Sequence, residues 1–181
     1  MLMSVTEFRQ FVETDETDAA LEARLKALEL FVRGYTNNSF QVRGTGRIAD
    51  VVSGLFTVEA LNPFEVGDTL HISGSEKNDG LYTVKEAGDN TFRVNERTRD
   101  EIDLFVTQVE YPADVKMGVV ELLKYDLENR AKAGIQSETI SRHSVTYQDY
   151  DAENVKQGYP VHLLGFLKHY CKARFGQGLR V

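Results

Sequence analysis

Apolar residues recur at helical spacing at both ends of the chain, and the spacing changes between them. Leu21, Leu25, Leu28 and Val32 step by four, three and four, which predicts a long helix with one apolar stripe. Thr17 precedes it as a hydroxyl cap, and Gly34 is expected just past its end near Arg33. Upstream, Ser4-x-x-Glu7 has the spacing of a capping box. It predicts a short helix from about Val5 to Val12, with Val5, Phe8 and Val12 on one face. The acidic stretch Glu13-Thr14-Asp15-Glu16-Thr17-Asp18 separates the two helices.

From Gln41 to about Glu110 the period shortens to two and glycines cluster. Phe56–Val58, Leu70–Ile72, Leu81–Val84, Phe92–Val94 and Leu104–Val106 read as strands. Asn62-Pro63, Gly67-Asp68, Asn78-Asp79-Gly80 and Asp89-Asn90 lie between them as turns. Five or six strands at this spacing predict a small β-barrel or curled antiparallel sheet. Helical period then returns. Pro112 is expected as the first residue of a third helix, with Val115, Val119, Leu122, Leu123 and Leu127 as its stripe and Gly134 near its end. Ser137–Tyr147 reads as extended, and Asp149, Asp151 and Glu153 as a polar connection. Pro160 is expected to start a last helix, with Leu163, Leu164, Leu167, Tyr170 and Cys171 on one face. Phe175–Val181 reads as a flexible tail. The fold class expected is α+β: a small bundle of about four helices, residues 1–40 plus 111–181, with an inserted β subdomain over 41–110.

Composition narrows the class without naming a function. The 181 residues are 41% hydrophobic and 27% charged, with a mean hydropathy of -0.35, an ordinary globular balance. No apolar run is long enough for a bilayer. Glu7 and Arg9 stand where a signal peptide would be apolar, so export is not expected. The single cysteine, Cys171, excludes an internal disulfide, fits a reducing compartment and is expected in the core.

Charge is unevenly spread. The net charge is -7, yet Asn154–Val181 holds no acid and five bases: Lys156, Lys168, Lys172, Arg174 and Arg180. Residues 46–110 hold six bases against thirteen acids, so the insert is no groove for nucleic acid.

Catalytic chemistry is not assembled. Gly44-Thr45-Gly46 lacks the Gly-Lys-Ser/Thr of a phosphate loop. His71, His143, His162 and His169 are scattered, and the last two alone make no zinc site. In Ser141-Arg142-His143-Ser144, neighbours along a strand face opposite ways. The expectation is a chain with no enzymatic activity, no cofactor and no metal.

The helical parts resemble the head–tail connector (adaptor, head-completion) proteins of long-tailed bacteriophages and prophages. The matching features are the capped opening helix, the acidic gap, and the long helix closing on Tyr35-Thr36-Asn37-Asn38-Ser39-Phe40. Pro112-Ala113-Asp114-Val115-Lys116, the extended stretch Ser137–Tyr147 and the short final helix complete the series. The resemblance spans roughly residues 1–40 and 111–175; the β insert departs from simpler relatives, which have a short link there. It implies a virion protein made in the host cytoplasm that forms a ring, a dodecamer, beneath the portal protein. A stopper or tail-completion protein would dock on the opposite side, and DNA would pass without specific binding. An acidic lumen would let DNA slide. It also implies that the C-terminal region meets the portal, which makes Lys168, Lys172, Arg174, Phe175, Leu179 and Arg180 the candidate contacts. The alternative is a non-enzymatic protein- or ligand-binding module whose β insert is the working part.

Overall fold

The computed structural model describes residues 2–129, 137–140, 143–146, 155–156 and 158–173. It is a mixed helix-and-strand protein containing a closed, six-stranded antiparallel barrel. The chain divides into two compact units. One combines the first few residues with Asn37–Tyr111; the other combines Val5–Thr36 with the described residues from Pro112 onward.

The barrel strands are β1 (Arg47–Val52), β2 (Leu55–Val58), β3 (Thr69–Ser73), β4 (Gly80–Ala87), β5 (Thr91–Val94) and β6 (Glu101–Val109). Their spatial order is β1-β2-β5-β4-β3-β6, and β6 pairs back onto β1. Within it, β6-β3-β4-β5 is a Greek key: three hairpin-linked strands and a fourth that returns beside the first. Closure leaves no strand edge unpaired around the ring. Alternate residues point inward, so Ala49, Val51, Phe56, Val58, Phe64, Leu70, Ile72, Tyr82, Val84, Phe92, Leu104 and Val106 form one core. At its centre Phe56 stacks on its cross-strand partner Phe92 at 4.6 Å, and Phe64 meets Phe92 edge-on at 5.3 Å.

β1 was not among the strands expected. Its outward positions include Ile48 and Val52 and its inward ones Ala49 and Val51, so apolar residues on both faces hide the alternation. The β1–β2 hairpin turns at Ser53-Gly54, both with positive φ (53° and 74°), the backbone that a two-residue turn between twisted strands needs. Asp100 Oδ1 accepts from Ser53 N at 2.7 Å and holds it there.

One carboxylate organises the β3–β4 loop. Glu101 accepts from Ser75 Oγ (2.7 Å), Glu76 N (2.8 Å), Lys77 N (3.2 Å) and Asn78 Nδ2 (2.8 Å). The buried Asn78 exchanges two further bonds with the Arg99 backbone, at 2.8 and 2.9 Å. The Ser75 hydroxyl first, and then the backbone and amide donors, hold the Glu101 carboxyl below its ordinary range.

In the second unit, α1 (Val5–Phe8) is shorter than the predicted span to Val12. The chain leaves it in a turn because Arg9 reaches forward to Thr14 O (3.0 Å), Glu16 O (2.7 Å) and Asp18 Oδ1 (2.8 Å). The acidic gap is therefore a loop wrapped around one guanidinium. Helix α2 (Asp18–Thr36) begins as expected, with Thr17 Oγ1 accepting from Ala20 N at 3.3 Å. Leu21, Leu25, Leu28 and Val32 are all buried. It does not stop at Gly34. Thr36 Oγ1 donates to Val32 O at 2.7 Å, Tyr35 packs on Phe31, and Asn37 (φ 49°) takes the left-handed position after the last turn.

Helix α3 (Ala113–Asn129) has Pro112 one residue before it rather than within it, since Pro112 O accepts from Lys116 N. Val115, Val119, Val120, Leu122 and Leu123 are buried; Leu127 is half-buried. The extended stretch forms a hairpin of β7 (Ser137–Ile140) and β8 (His143–Thr146). β9 (Val155–Lys156) pairs with β10 (Tyr159–Pro160). Gly134, Asp149, Asp151, Glu153 and the tail from Arg174 lie outside the described residues.

The last helix, Val161–Tyr170, is a 3₁₀ helix rather than an α-helix. Three residues per turn align Leu164, Leu167 and Tyr170, and Leu164 and Leu167 are buried. Cys171 would share that face at 3.6 residues per turn; at three it rotates off, and it is exposed, not in the core.

Two outcomes test these assignments. Leu122→Ala should cost roughly 2–5 kcal/mol through lost burial and a residual cavity, read as a lower midpoint in denaturant. Glu101 is tuned to its charged form when folded, so its contribution exists above the unfolded carboxyl range and disappears as pH falls through the lowered folded value. Glu101→Gln should therefore melt lower than wild type at neutral pH, and the gap should close on acidification; a constant gap would refute the role.

Candidate functional site

The segment Val155–Ala173 carries the basic end of the described chain and is pinned to α2 and α3 at several points. Tyr159 is buried and donates its hydroxyl to Asp126 Oδ2 at 2.7 Å. Its ring meets Phe31 at 5.4 Å and Tyr125 at 6.1 Å. Lys156 Nζ lies over the Tyr35 ring, 5.1 Å from its centre. Further along, Phe166 sits on α3 where Gly118 leaves room, since a Cβ there would stand 2.5 Å from ring carbons. Tyr170 donates to the Asp114 carboxylate at 2.8 and 2.9 Å, and that bond is the first cause of its raised phenol pKa. Lys172 N donates to Thr36 O at 2.7 Å, tying the segment to the end of α2.

Two of the six candidate contacts fall on this scaffold. Lys168 and Lys172 are exposed, with their backbone held by the 3₁₀ helix and the Thr36 carbonyl. Arg174, Phe175, Leu179 and Arg180 lie outside the described residues. What the scaffold offers is two exposed lysines on a backbone fixed to α2 and α3.

The remaining candidates do not converge. His71 Nδ1 is 3.1 Å from Gln41 Nε2, while His162 and His169 are exposed on the 3₁₀ helix. His143 lies in β8. Among the described residues no three His, Cys, Asp or Glu side chains are grouped to hold a metal, and no helix is long and apolar enough to cross a membrane. Gly44-Thr45-Gly46 is a turn into β1, with Thr45 Oγ1 donating to Val42 O at 2.9 Å.

A second surface was missed because β1 was missed. Ile48, Val52, Ile102 and Phe105 project outward from adjacent strands β1 and β6 and are 48, 60, 68 and 43% exposed. Ile48 and Phe105 are direct cross-strand partners. The Phe105 ring spreads over Gly46, where a Cβ would come within 2.9 Å of it. Asp50 and Asp103 sit among these side chains, and Asp103 N donates to Asp50 Oδ1 at 2.9 Å.

No protein-family model matches the chain, and no curated protein is significantly similar to it.

The Phe166–Gly118 contact is testable. Gly118→Ala gains about 1 kcal/mol of helix propensity but forces the ring aside at roughly 1–3 kcal/mol, so a net loss of stability is expected. Phe166→Ala should also destabilise. Because the two changes act on one contact, the double variant should lose less than the sum of the singles. Strict additivity would place Phe166 elsewhere. The Tyr170 bond predicts a pH effect of opposite sign to that of Glu101. A phenol pKa raised in the folded state contributes stability below the ordinary tyrosine range, near pH 10.0, that is lost as pH rises through the folded value. Tyr170→Phe should flatten the alkaline fall in melting temperature.

Proposed function

We propose that this chain is a structural virion protein, a head–tail connector that forms a ring beneath the portal protein and joins the DNA-filled head to a stopper or tail-completion protein. It works by shape and assembly, without catalysis or cofactor, in the virion after synthesis in the host cytoplasm. In this reading the helical segments of residues 1–40 and 111–181 pack as a small bundle that is the connector core. The barrel of residues 41–110 is an insertion that decorates it. DNA passes through the ring without specific binding, its backbone repelled by a body that is strongly acidic outside Asn154–Val181.

The observation that carries the reading is the order of the helical segments and the basic end they hold. A capped α2 follows an acidic gap, α3 follows Pro112, an extended hairpin follows α3, and a closing helical segment presents Lys168 and Lys172. Phe175 and Leu179 supply apolar anchors beyond that segment, with Arg174 and Arg180 beside them. The second reading, a binding module centred on the barrel, is favoured by the exposed β1–β6 apolar face.

Truncation after Lys172 should leave the melting temperature nearly unchanged but abolish completion of DNA-filled heads in an in vitro joining assay. Binding of the full chain to portal should weaken with added salt. Wild-type joining by the truncated chain would remove the tail as the docking element. A chain that joins no heads in any form would favour the binding module.

A further inference from the structure

We infer that the β1–β6 face of the barrel is the receptor for the basic C-terminal segment of a second copy of this chain, giving a head-to-tail contact between copies. Four observations converge. The face presents one apolar cross-strand pair, Ile48 with Phe105, and two further exposed apolar residues along the same strands, Val52 and Ile102. Ile48 and Val52 are four residues apart on one side of a strand, or about 13 Å. Phe175 and Leu179 are also four apart. An extended tail would set Phe175, Leu179 and Val181 on one side at the same spacing. The charges match as well. Asp50, Asp100 and Asp103 lie on or beside the face, whereas Arg174 and Arg180 bracket the tail's apolar residues and no acid occurs after Glu153.

Two bases of the barrel strands are already engaged. Arg47 donates to the carbonyls of Gly44, Gly46 and Leu61, and Arg93 pairs with Glu86 at 3.7 Å. The closed barrel offers no free strand edge, so the contact is made through side chains rather than by adding a strand. A face and a tail that differ from each other form a heterologous interface, in which each copy can give one tail and receive another. The inference goes beyond the connector reading and needs no portal. Since docking on portal would use the same tail, the two contacts are alternative states of one segment.

The test is sedimentation velocity on the full chain without portal. Weight-average mass should rise with concentration at low salt, and the rise should vanish in Phe105→Asp and in the chain truncated after Ala173. Mixing these two variants leaves one intact face and one intact tail, and should restore a one-to-one complex. That complex should weaken about tenfold as ionic strength approaches 1 M. Circular dichroism checks that each variant folds; if Phe105→Asp does not, Val52→Asp takes its place. A full chain that is monomeric at every concentration overturns the inference, as does self-association that survives truncation. A monomeric full chain whose truncated form binds a synthetic peptide of residues 168–181 places the tail on its own barrel and overturns it equally. Failure here leaves the connector reading standing, whereas loss of head joining with self-association intact removes the connector reading alone.

Discussion

The pairing of β1 with β6 is the interaction on which the barrel unit depends. It joins the first strand of the unit to its last, roughly fifty residues later in the chain, and converts a curled sheet into a closed ring. The pairing continues outward: Gln41 bridges Val109, Val42 N donates to Gln108 O at 2.8 Å, and Glu110 N donates to Phe40 O at 3.0 Å. Phe40 and Tyr111 then meet at 4.9 Å. The chain thus enters and leaves the barrel side by side, which is the geometric requirement for seating one compact unit inside the sequence of another. The same pairing sets the outward register of Ile48 against Phe105, so closure brings the exposed apolar residues of the two strands together.

The helical unit is held by a different means. Its apolar stripes are ordinary, but the segment that closes it is fastened by polar and aromatic contacts at intervals: Tyr159 to Asp126, Lys156 to Tyr35, Phe166 to Gly118, Tyr170 to Asp114, and the Lys172 amide to the last carbonyl of α2. The exposed pairs among them, Lys156 with Tyr35 and Tyr170 with Asp114, contribute little individually. Their effect is positional, since they fix where two lysines stand.

Much of this was legible in the sequence, and the failures share a cause. Period-based reading found α2, α3 and five of the six barrel strands because those elements bury one face and expose the other, as Leu21–Val32 and Phe56–Val58 do. It missed β1 because Ile48 and Val52 are apolar on the solvent side, and that same departure creates the candidate surface. It overran α1 because Arg9's long reach to Asp18 is a tertiary contact that no local rule encodes. It ended α2 early because glycine is only the commonest left-handed residue, and Asn37 serves instead. It placed Cys171 in the core because an apolar run near Pro160 fits 3.6 residues per turn as well as three. Glu101 gave no signal: an acid in an acidic insert acquires its role only when Ser75, Asn78 and the intervening amides fold around it.

The interruption of one unit by the other also dictates an order of events during synthesis. Helix α2 leaves the ribosome with its stripe complete, but the α3 stripe that belongs to the same unit begins only after Tyr111. At roughly 5–20 residues per second, the intervening stretch of about 75 residues occupies the ribosome for several seconds. Through that interval Leu21, Leu25, Leu28 and Val32 lack α3, and only at its end are the first and last strands of the barrel both made, so that closure can precede the arrival of α3. The nascent chain therefore completes its second unit in sequence before its first, and a released fragment ending near Tyr111 would hold every barrel strand while leaving α2 without α3 and open to protease.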